Sequence, residues 1–217
     1  MKITITNQKG GAGKSTLTLL LAETLKQHGS VLCVDCDPQG GITNLLDAPG
    51  GGLFELLTGG EFKPVTVRGL DLLTADHKLD KIAYTLPPYD LRDGINFDYD
   101  FILFDTPPTV QGISRAAAIA ADKIIIPADI SKTTIQPTLY TLQELRKVEK
   151  VGAVLLIGKE PGAEIKGFHA DLYREFKAAI KENYSGTIPK TANAQKAAAG
   201  LSKIPKAISE ILKGAVL

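Results

Sequence analysis

The residues with the clearest chemical potential lie near the start of the chain, in the run Lys9-Gly10-Gly11-Ala12-Gly13-Lys14-Ser15-Thr16. Glycines allow the backbone to turn so that successive N–H groups point into one cavity, and a helix beginning at the end of the loop adds partial positive charge. Such a loop binds the phosphates of a nucleotide. Lys14 would reach the β- and γ-phosphates of ATP, and the Ser15 hydroxyl would take one position on Mg²⁺.

Two further acidic residues follow apolar segments. Asp37 lies in Val34-Asp35-Cys36-Asp37-Pro38-Gln39-Gly40, just past one predicted strand, and Asp105 follows the apolar run 101–104. Ligands bind at the carboxyl ends of strands in open α/β sheets. A carboxylate at Asp37 can hold a magnesium-bound water or orient the attacking water, and Asp105 can deliver a carboxylate to the metal. Together with Ser15, these residues predict a magnesium site.

These segments resemble the ParA/MinD group of ATPases. The standard pattern G-x-x-x-x-G-K-[ST] is not met, because Gln8 occupies the first glycine position, but the loop carries an additional lysine, Lys9. The pattern K-G-G-x-G-K-[ST] resembles the deviant Walker A motif of that group. Residues 35–40 resemble its switch I motif, D-x-D-P-Q-G. Asp105-Thr106-Pro107-Pro108 resembles its Walker B segment, D-x-P-P, with switch II at 109–112.

The resemblance implies roles for individual residues. Lys9 would cross a dimer interface to the nucleotide of the partner subunit, Asp37 would position the hydrolytic water, and Asp35 would support the magnesium shell. Pro189, after the last core strand, would contact adenine. One departure is Gly158, which stands in the region where the family usually has an asparagine. The nucleotide-binding candidates are Lys9, Gly10, Gly11, Ala12, Gly13, Lys14, Ser15, Thr16 and Pro189.

Apolar strands alternate with helical patterns along the chain, which predicts an α/β fold with a mostly parallel twisted sheet and helices on both faces. With the loop at 9–16, this is a P-loop NTPase fold, and we predict one such domain over residues 1–217. Strands are predicted at 2–6, 30–35, 70–74, 99–104, 123–127, 152–157 and 186–188. Helices are predicted at 14–28, 52–58, 76–84, 113–121, 134–149, 165–183, 192–200 and 205–213.

Bulk properties limit the other possibilities. The 217 residues carry a net charge of +1, so any binding to nucleic acid requires a local basic patch. The chain contains no apolar run long enough to span a bilayer, and it enters a predicted strand within two residues, which leaves no room for a signal peptide. We therefore expect a cytoplasmic location. Cys33 and Cys36 lie three apart on a strand, facing opposite sides, which favours buried apolar roles over redox chemistry or zinc binding.

The resemblance also implies partners. Short ParA-type partition proteins lack an N-terminal DNA-binding domain, and none precedes the P-loop here. The implied behaviour is slow hydrolysis, an ATP-bound homodimer, non-specific DNA binding with nucleoid association, and a centromere-binding or cargo-adaptor protein that stimulates hydrolysis. Arg174, Lys177 and Lys181 would share one helical face. The full set of DNA-binding candidates is Arg174, Lys177, Lys181, Lys190, Lys196, Lys203 and Lys206.

We interpret the chain as an ATPase that dimerises with ATP, binds DNA and drives plasmid or chromosome partition. One alternative is an ATPase that positions a protein cargo on the nucleoid. An alternative of another class is a metabolic P-loop ligase resembling dethiobiotin synthetase, which Lys9 and the D-P-Q-G segment argue against, since a ligase needs a substrate pocket. A third is a non-hydrolysing DNA-coating scaffold.

Membrane cycling of the MinD type would require a basic amphipathic C-terminal helix with bulky apolar residues. Residues 207–217 are apolar but contain one lysine and no aromatic residue. They predict a packing helix, and we therefore expect no membrane partner.

Overall fold

The computed structural model describes residues 1–129, 131–158, 167–189, 196, 203 and 206–216. Its strands form one eight-stranded sheet in the order β3-β4-β2-β5-β1-β6-β7-β8. All pairs are parallel except β3 with β4. The strands are β1 (Lys2–Ile5), β2 (Val31–Asp35), β3 (Val65–Val67), β4 (Leu70–Leu73), β5 (Phe101–Asp105), β6 (Lys123–Asp129), β7 (Gly152–Gly158) and β8 (Tyr184–Pro189).

Helices connect these strands, as a parallel sheet requires. The described α-helices are α1 (Lys14–Leu25), α2 (Gly41–Leu45), α3 (Gly52–Leu57), α4 (Asp80–Ala83), α5 (Asp90–Gly94), α6 (Ile113–Ala120), α7 (Lys132–Arg146), α8 (Phe168–Ile180) and α9 (Lys206–Val216). Short 3₁₀ turns occupy His77–Leu79 and Lys181–Asn183.

Alternate residues of the central strands enter different cores, because successive side chains of a strand point to opposite faces. Ile5 of β1 and Leu103 of β5 pack on the face that α1 and α9 cover. Phe104 of β5 packs toward α6, and Ile126 of β6 packs toward α7 and α8. Helices therefore cover both faces, which confirms the predicted fold class and explains why the central strands are apolar on both sides.

The seven predicted strands are confirmed to within two residues at each end, and the edge strand β3 was not predicted. Helices α2 and α5 were also missed. Predicted helix 76–84 is divided between the 3₁₀ turn His77–Leu79 and α4. Predicted helix 192–200 lies outside the described residues except for Lys196, which is helical.

The prediction of a continuous helix over 165–183 is wrong at its end, because α8 stops at Ile180. Lys181 has a φ of 28° and begins a 3₁₀ turn. Arg174, Lys177 and Lys181 therefore do not form the predicted i, i+3, i+7 face. Residues 165 and 166, at the start of that predicted helix, lie outside the described residues.

Candidate nucleotide site

The glycine-rich loop joins β1 to α1 at the carboxyl edge of the sheet. Gly11 and Gly13 have φ values of 71° and 89°, which L side chains rarely adopt, so these two positions require glycine. Gly13 caps α1, whose first turn contains no acidic residue. The positive end of the helix dipole therefore lies at the loop without a competing side-chain carboxylate from α1. This is the geometry of an anion site.

Lys14 lies beneath the loop. Its Nζ donates to the backbone oxygens of Asn7 at 3.1 Å and Lys9 at 3.2 Å. Burial lowers the pKa of Lys14, and the nearby Asp105 and Asp37 carboxylates oppose that shift. The ammonium is held by weak neutral acceptors inside the loop, so a phosphate would be a stronger partner for it.

Asp35 and Asp105 are aligned on adjacent strands, since the register of β2 and β5 pairs them directly. Burial is the main cause that raises the pKa of Asp105 to about 8 and that of Asp35 to about 6. The Asp35 carboxylate raises the pKa of Asp105 further, while Ser15 and Lys14 lower it. Two buried carboxyls on directly paired strand residues are costly to ionise together without a cation.

The residues around Asp105 fit a magnesium ion. Its Oδ1 accepts from Thr18 Oγ1 at 3.2 Å, whereas its buried Oδ2 makes no hydrogen bond with the described residues. A Cβ added at Gly41 would lie 2.5 Å from Ser15 Oγ and 3.0 Å from Asp105 Oδ2, so glycine keeps this space open. Magnesium typically takes one or two protein oxygens together with water and phosphate oxygens.

The carboxylate of Asp35 differs from that of Asp105 in its hydrogen bonds. Its Oδ1 accepts from Asp37 N, and its Oδ2 accepts from the backbone N and Oγ1 of Thr43, at 2.9 and 2.7 Å. Both oxygens are therefore engaged in shaping the loop after β2. This agrees with a supporting role toward the metal shell. Among the described residues, no group of three or more His, Cys, Asp or Glu could hold a metal by itself.

Asp37 is half-buried at the mouth of the site. Its Oδ1 accepts from Gln39 N at 2.9 Å, which closes a tight turn. Asp37 lines a groove of about 130 Å³ together with Tyr84, Pro107 and Pro108. The segments that resemble switch I and switch II therefore face each other, with the Asp37 carboxylate between them.

Lys9 is bound within its own chain in this structure. Its Nζ lies 3.2 and 3.1 Å from the two carboxylate oxygens of Asp129, the last residue of β6. It also contacts the hydroxyls of Ser131 at 3.3 Å, Thr133 at 3.1 Å and Thr134 at 2.5 Å. The side chain is 21% exposed. The expected contact with a partner subunit would require Lys9 to leave this position.

Sequence reasoning missed the residues that surround Lys9. Asn7 is fully buried, and its Nδ2 donates to Pro127 O and to Thr138 Oγ1. Gln8 N donates to Thr141 Oγ1 at 3.4 Å. The available signal was the recurrence of threonine along α7 at positions 134, 138 and 141, which helical spacing places on one face.

Pro189 is buried at the end of β8, in register with Gly158 of β7. Gly13 lies near the end of β7, since a Cβ added there would be 4.0 Å from Ile157 Cγ1. Pro189 therefore lies at the same edge of the sheet as the loop, one strand beyond β7.

The basic candidates differ in their contacts and exposure. Arg174 pairs with Asp171 at 2.7 Å, and Lys177 Nζ lies 4.2 Å from the Tyr184 ring centroid. Lys196, Lys203 and Lys206 are exposed. Lys190 lies outside the described residues.

Cys33 and Cys36 are buried and free, and they belong to different apolar cores. Burial raises the pKa of both thiols. This confirms the prediction of apolar packing. In the described part of the chain, no helix has the length and apolar character needed to cross a membrane.

Fold and site together define a P-loop nucleotide-binding protein. The family described as "AAA domain" matches residues 1–153. The chromosome-partitioning ATPase Soj of Thermus thermophilus is 34% identical over 155 residues, covering 67% of this chain and 62% of Soj. The chromosome partitioning protein ParA of Caulobacter vibrioides is 30% identical over 196 residues, which cover 79% of this chain and 69% of that protein. This chain belongs to the ParA/MinD family of ATPases.

Other comparisons show how widely this fold is used. The maintenance of carboxysome distribution protein A of Gloeothece citriformis is 26% identical, covering 70% of this chain and 65% of that protein. Apo McdA from Cyanothece superimposes with a TM-score of 0.85 at 22% identity, covering 99% and 97%. Cobyrinic acid a,c-diamide synthase from Mycobacterium smegmatis, with ADP and magnesium, gives a TM-score of 0.72 at 22% identity, covering 92% and 90%. The chain spans less than two thirds of the length of the Thermus and Gloeothece relatives.

Proposed function

We propose that this chain is an ATP-hydrolysing partition protein that dimerises with ATP bound and acts on plasmid or chromosomal DNA. The observation that supports this most strongly is the convergence of Lys9, Lys14, Asp37 and Asp105 at one edge of the sheet. A phosphate loop with one lysine would suffice for nucleotide binding alone. The additional Lys9, at the same edge of the sheet as the acidic turn at Asp37, favours a nucleotide-dependent assembly.

In the proposed reaction, Lys14 leaves the carbonyls of Asn7 and Lys9 and binds the β- and γ-phosphates, while the loop N–H groups bind phosphate oxygens. Ser15 and Asp105 would hold Mg²⁺, with Asp35 fixing the adjoining loop. The metal, when bound, neutralises charge on the β- and γ-phosphates. It also supplies the positive charge that the buried carboxyls of Asp35 and Asp105 require.

Asp37 would orient the attacking water, because its carboxylate lies half-exposed between the two switch segments. Lys9 of one protomer would neutralise the charge that develops on the phosphate bound by the other. A cation supplied in this way increases phosphoryl-transfer rates by ~10³-fold or more in related chemistry. Pro189 would contact the adenine base.

We further propose that residues 1–217 form one domain and that the ATP-bound dimer binds DNA through Lys196, Lys203 and Lys206. These exposed cations suit phosphate contacts, which need no base-reading geometry. Arg174, Lys177, Lys181 and Lys190 complete the proposed set. Dimerisation doubles a weak patch, which would allow a chain of net charge +1 to bind a polyanion. We expect a nucleoid-associated cytoplasmic protein whose hydrolysis is stimulated by a centromere-binding adaptor.

The direct test measures ATP hydrolysis, dimerisation and DNA binding on the purified chain. Wild-type protein should bind random duplex DNA only with ATP and Mg²⁺, and should release it as ATP is consumed. Lys14→Ala should lose all three properties, while Lys26→Ala should keep them, since Lys26 pairs with Glu23 at the far end of α1. DNA binding that is equal with and without nucleotide would contradict the proposal.

A second candidate function is the positioning of a protein assembly, which the similarity to the carboxysome-distribution protein favours. The site chemistry would be the same, and only the cargo would differ. Pull-down from the native host with Asp37→Ala locked in its ATP state distinguishes them, because a DNA-binding adaptor indicates partition and an assembly component indicates positioning. A ligase would instead need a small-molecule substrate for ATP turnover, and that turnover would not depend on a lysine donated by a second protomer.

A further inference from the structure

Thr43 is a buried threonine in α2 that lies between the candidate metal site and the end of β4. Its backbone N donates to Asp35 Oδ2 at 2.9 Å, and its Oγ1 lies 2.7 Å from the same oxygen. The Thr43 Oγ1 also accepts from Ala75 N at 3.1 Å. Thr43 therefore contacts two strand ends, one at Asp35 of β2 and the other two residues beyond β4.

These contacts determine the direction of the Thr43 hydroxyl. A hydroxyl has one proton to donate, and the Ala75 N–H can only donate, so the Thr43 proton is directed to Asp35 Oδ2. The hydrogen bonds form an ordered chain, from the Ala75 N–H through the Thr43 hydroxyl to the Asp35 carboxylate. All three residues are at most 3% exposed, and bonds in a buried chain of this kind polarise and strengthen one another.

The Asp35 carboxylate holds both ends of the loop that follows β2. Its Oδ1 accepts from Asp37 N at 3.1 Å at one end, and its Oδ2 accepts from Thr43 at the other. Gly41 lies between these two ends, and a Cβ added there would be 2.5 Å from Ser15 Oγ. The orientation of Asp35 therefore determines how closely the backbone at Gly41 approaches the metal side of the site.

The segment 75–84, which Thr43 holds at its first residue, lines the groove beside Asp37. At its far end this segment packs on Gly112, where an added Cβ would clash with the Ala83 carbonyl. The segment therefore contacts both loops that resemble the switches, and Thr43 is the point at which it meets the first of them.

We propose that Thr43 is a positioning residue for the magnesium site, whose hydroxyl orients Asp35 with the Ala75 amide behind it. This rests on the proposed function, because it requires that Mg²⁺ bind beside Ser15 together with the nucleotide. Without the hydroxyl, Asp35 keeps its two backbone donors, so the chain should fold while the loop at Gly41 loses its fixed distance from Ser15. Weaker metal binding follows, since residues that orient metal ligands typically contribute about 10- to 100-fold to metal affinity.

Thr43→Val removes the hydroxyl and keeps the β-branched shape, whereas Thr43→Ser keeps the hydroxyl. Amide-resolved hydrogen exchange of the nucleotide-free chain tests the contacts in the absence of metal. We expect the Ala75 amide to exchange roughly three- to ten-fold faster in Thr43→Val than in wild type, and at the wild-type rate in Thr43→Ser. Thr24→Val is the matched control, since Thr24 is a buried helical threonine whose hydroxyl bonds within α1.

The second readout is the affinity of the AMPPNP complex for Mn²⁺, which replaces Mg²⁺ so that electron paramagnetic resonance can count the free ion. We expect this affinity to fall about 10-fold in Thr43→Val and to return in Thr43→Ser, while AMPPNP affinity without metal stays unchanged. Thr43→Ala takes the place of Thr43→Val in both assays if the valine variant does not fold.

An unchanged Ala75 exchange rate or an unchanged Mn²⁺ affinity in the variant without the hydroxyl would overturn the proposal. A Thr43→Ser protein that behaves like Thr43→Val would also overturn it, because the effect would then come from packing. Wild-type protein whose AMPPNP complex binds no Mn²⁺ would refute the proposed function itself, an outcome distinct from a loss seen only in the variants.

Discussion

Asp35 and Asp105 lie directly opposite each other on β2 and β5, and both carboxyls are fully buried beside the P-loop. The central strands are apolar on both faces, yet two acidic residues end neighbouring strands at the same level. The register of β2 and β5 brings the two carboxyls together, so that a cation bound there would stabilise both in their ionised form. This pairing links the sheet topology to the chemistry of the site.

The first prediction concerns pH. Both carboxyls have pKa values raised by burial, to about 8 for Asp105 and about 6 for Asp35. Between the ordinary Asp pKa and these values the folded chain binds more protons than the unfolded chain, so stability falls as pH rises from about 4 to 8. Asp105→Asn should stabilise the nucleotide-free chain at pH 8 by on the order of 2 kcal/mol.

Urea unfolding at pH 5 and pH 8, without Mg²⁺ or nucleotide, measures this effect. Asp98→Asn is a suitable comparison because Asp98 is an exposed residue away from the site. A wild-type chain that is equally stable at both pH values would show that the two carboxyls do not carry the expected cost.

The second prediction concerns Lys14. Lys14→Ala removes the buried ammonium that is placed to bind the phosphates, and we expect ATP affinity to fall by at least about 100-fold, since charge-assisted contacts of this kind contribute several kcal/mol. Equilibrium binding of a fluorescent ATP analogue measures it. Retention of wild-type affinity in a folded Lys14→Ala protein is incompatible with the assigned role.

The third prediction concerns Asp37. Asp37→Ala should leave ATP binding intact and slow hydrolysis by roughly 10²-fold or more, because the water-orienting carboxylate is lost. The ATP-bound dimer should then persist on DNA, which light scattering would detect. Asp80→Ala removes another carboxylate that lines the same groove and should hydrolyse ATP normally. Hydrolysis by Asp37→Ala at the wild-type rate would contradict the water-orienting role, whereas a wild-type cargo distribution in Asp37→Ala would support the non-hydrolysing scaffold.

The fourth prediction concerns DNA. Lys203→Ala and Lys206→Ala should each weaken ATP-dependent DNA binding and reduce the salt dependence by about 0.9 per lost phosphate contact. Arg174→Ala should have a smaller effect, because Arg174 is paired with Asp171. Fluorescence anisotropy across a salt series separates these outcomes, and an unchanged slope in both lysine variants would exclude them from the interface.

Much of the fold and of the phosphate site could be predicted from local patterns. The strands β1, β2 and β5 are short apolar runs, and the glycine-rich loop and the following aspartates have a fixed order along the chain. The elements that were missed are short. β3 has three residues at the sheet edge. Helix α5 has five residues and follows Pro87 and Pro88, which in sequence indicate an irregular segment.

The placement of Lys9 could not be predicted, because it depends on contacts far apart in sequence. Asp129 is 120 residues from Lys9 and Thr134 is 125 residues away. Neither residue type is unusual alone, and only the parallel pairing of β1 with β6 brings them to the loop. The end of α8 was mispredicted for a related reason, since the apolar stripe that favours a helix gives no information on where Lys181 turns the chain.

Sedimentation of the chain with AMPPNP and Mg²⁺ tests most directly the claim that Lys9 completes the site of a second protomer. Wild type and Lys26→Ala should sediment as dimers, and Lys9→Ala should bind nucleotide yet remain monomeric. A Lys9→Ala protein that dimerises at the same AMPPNP concentration as wild type would contradict the account.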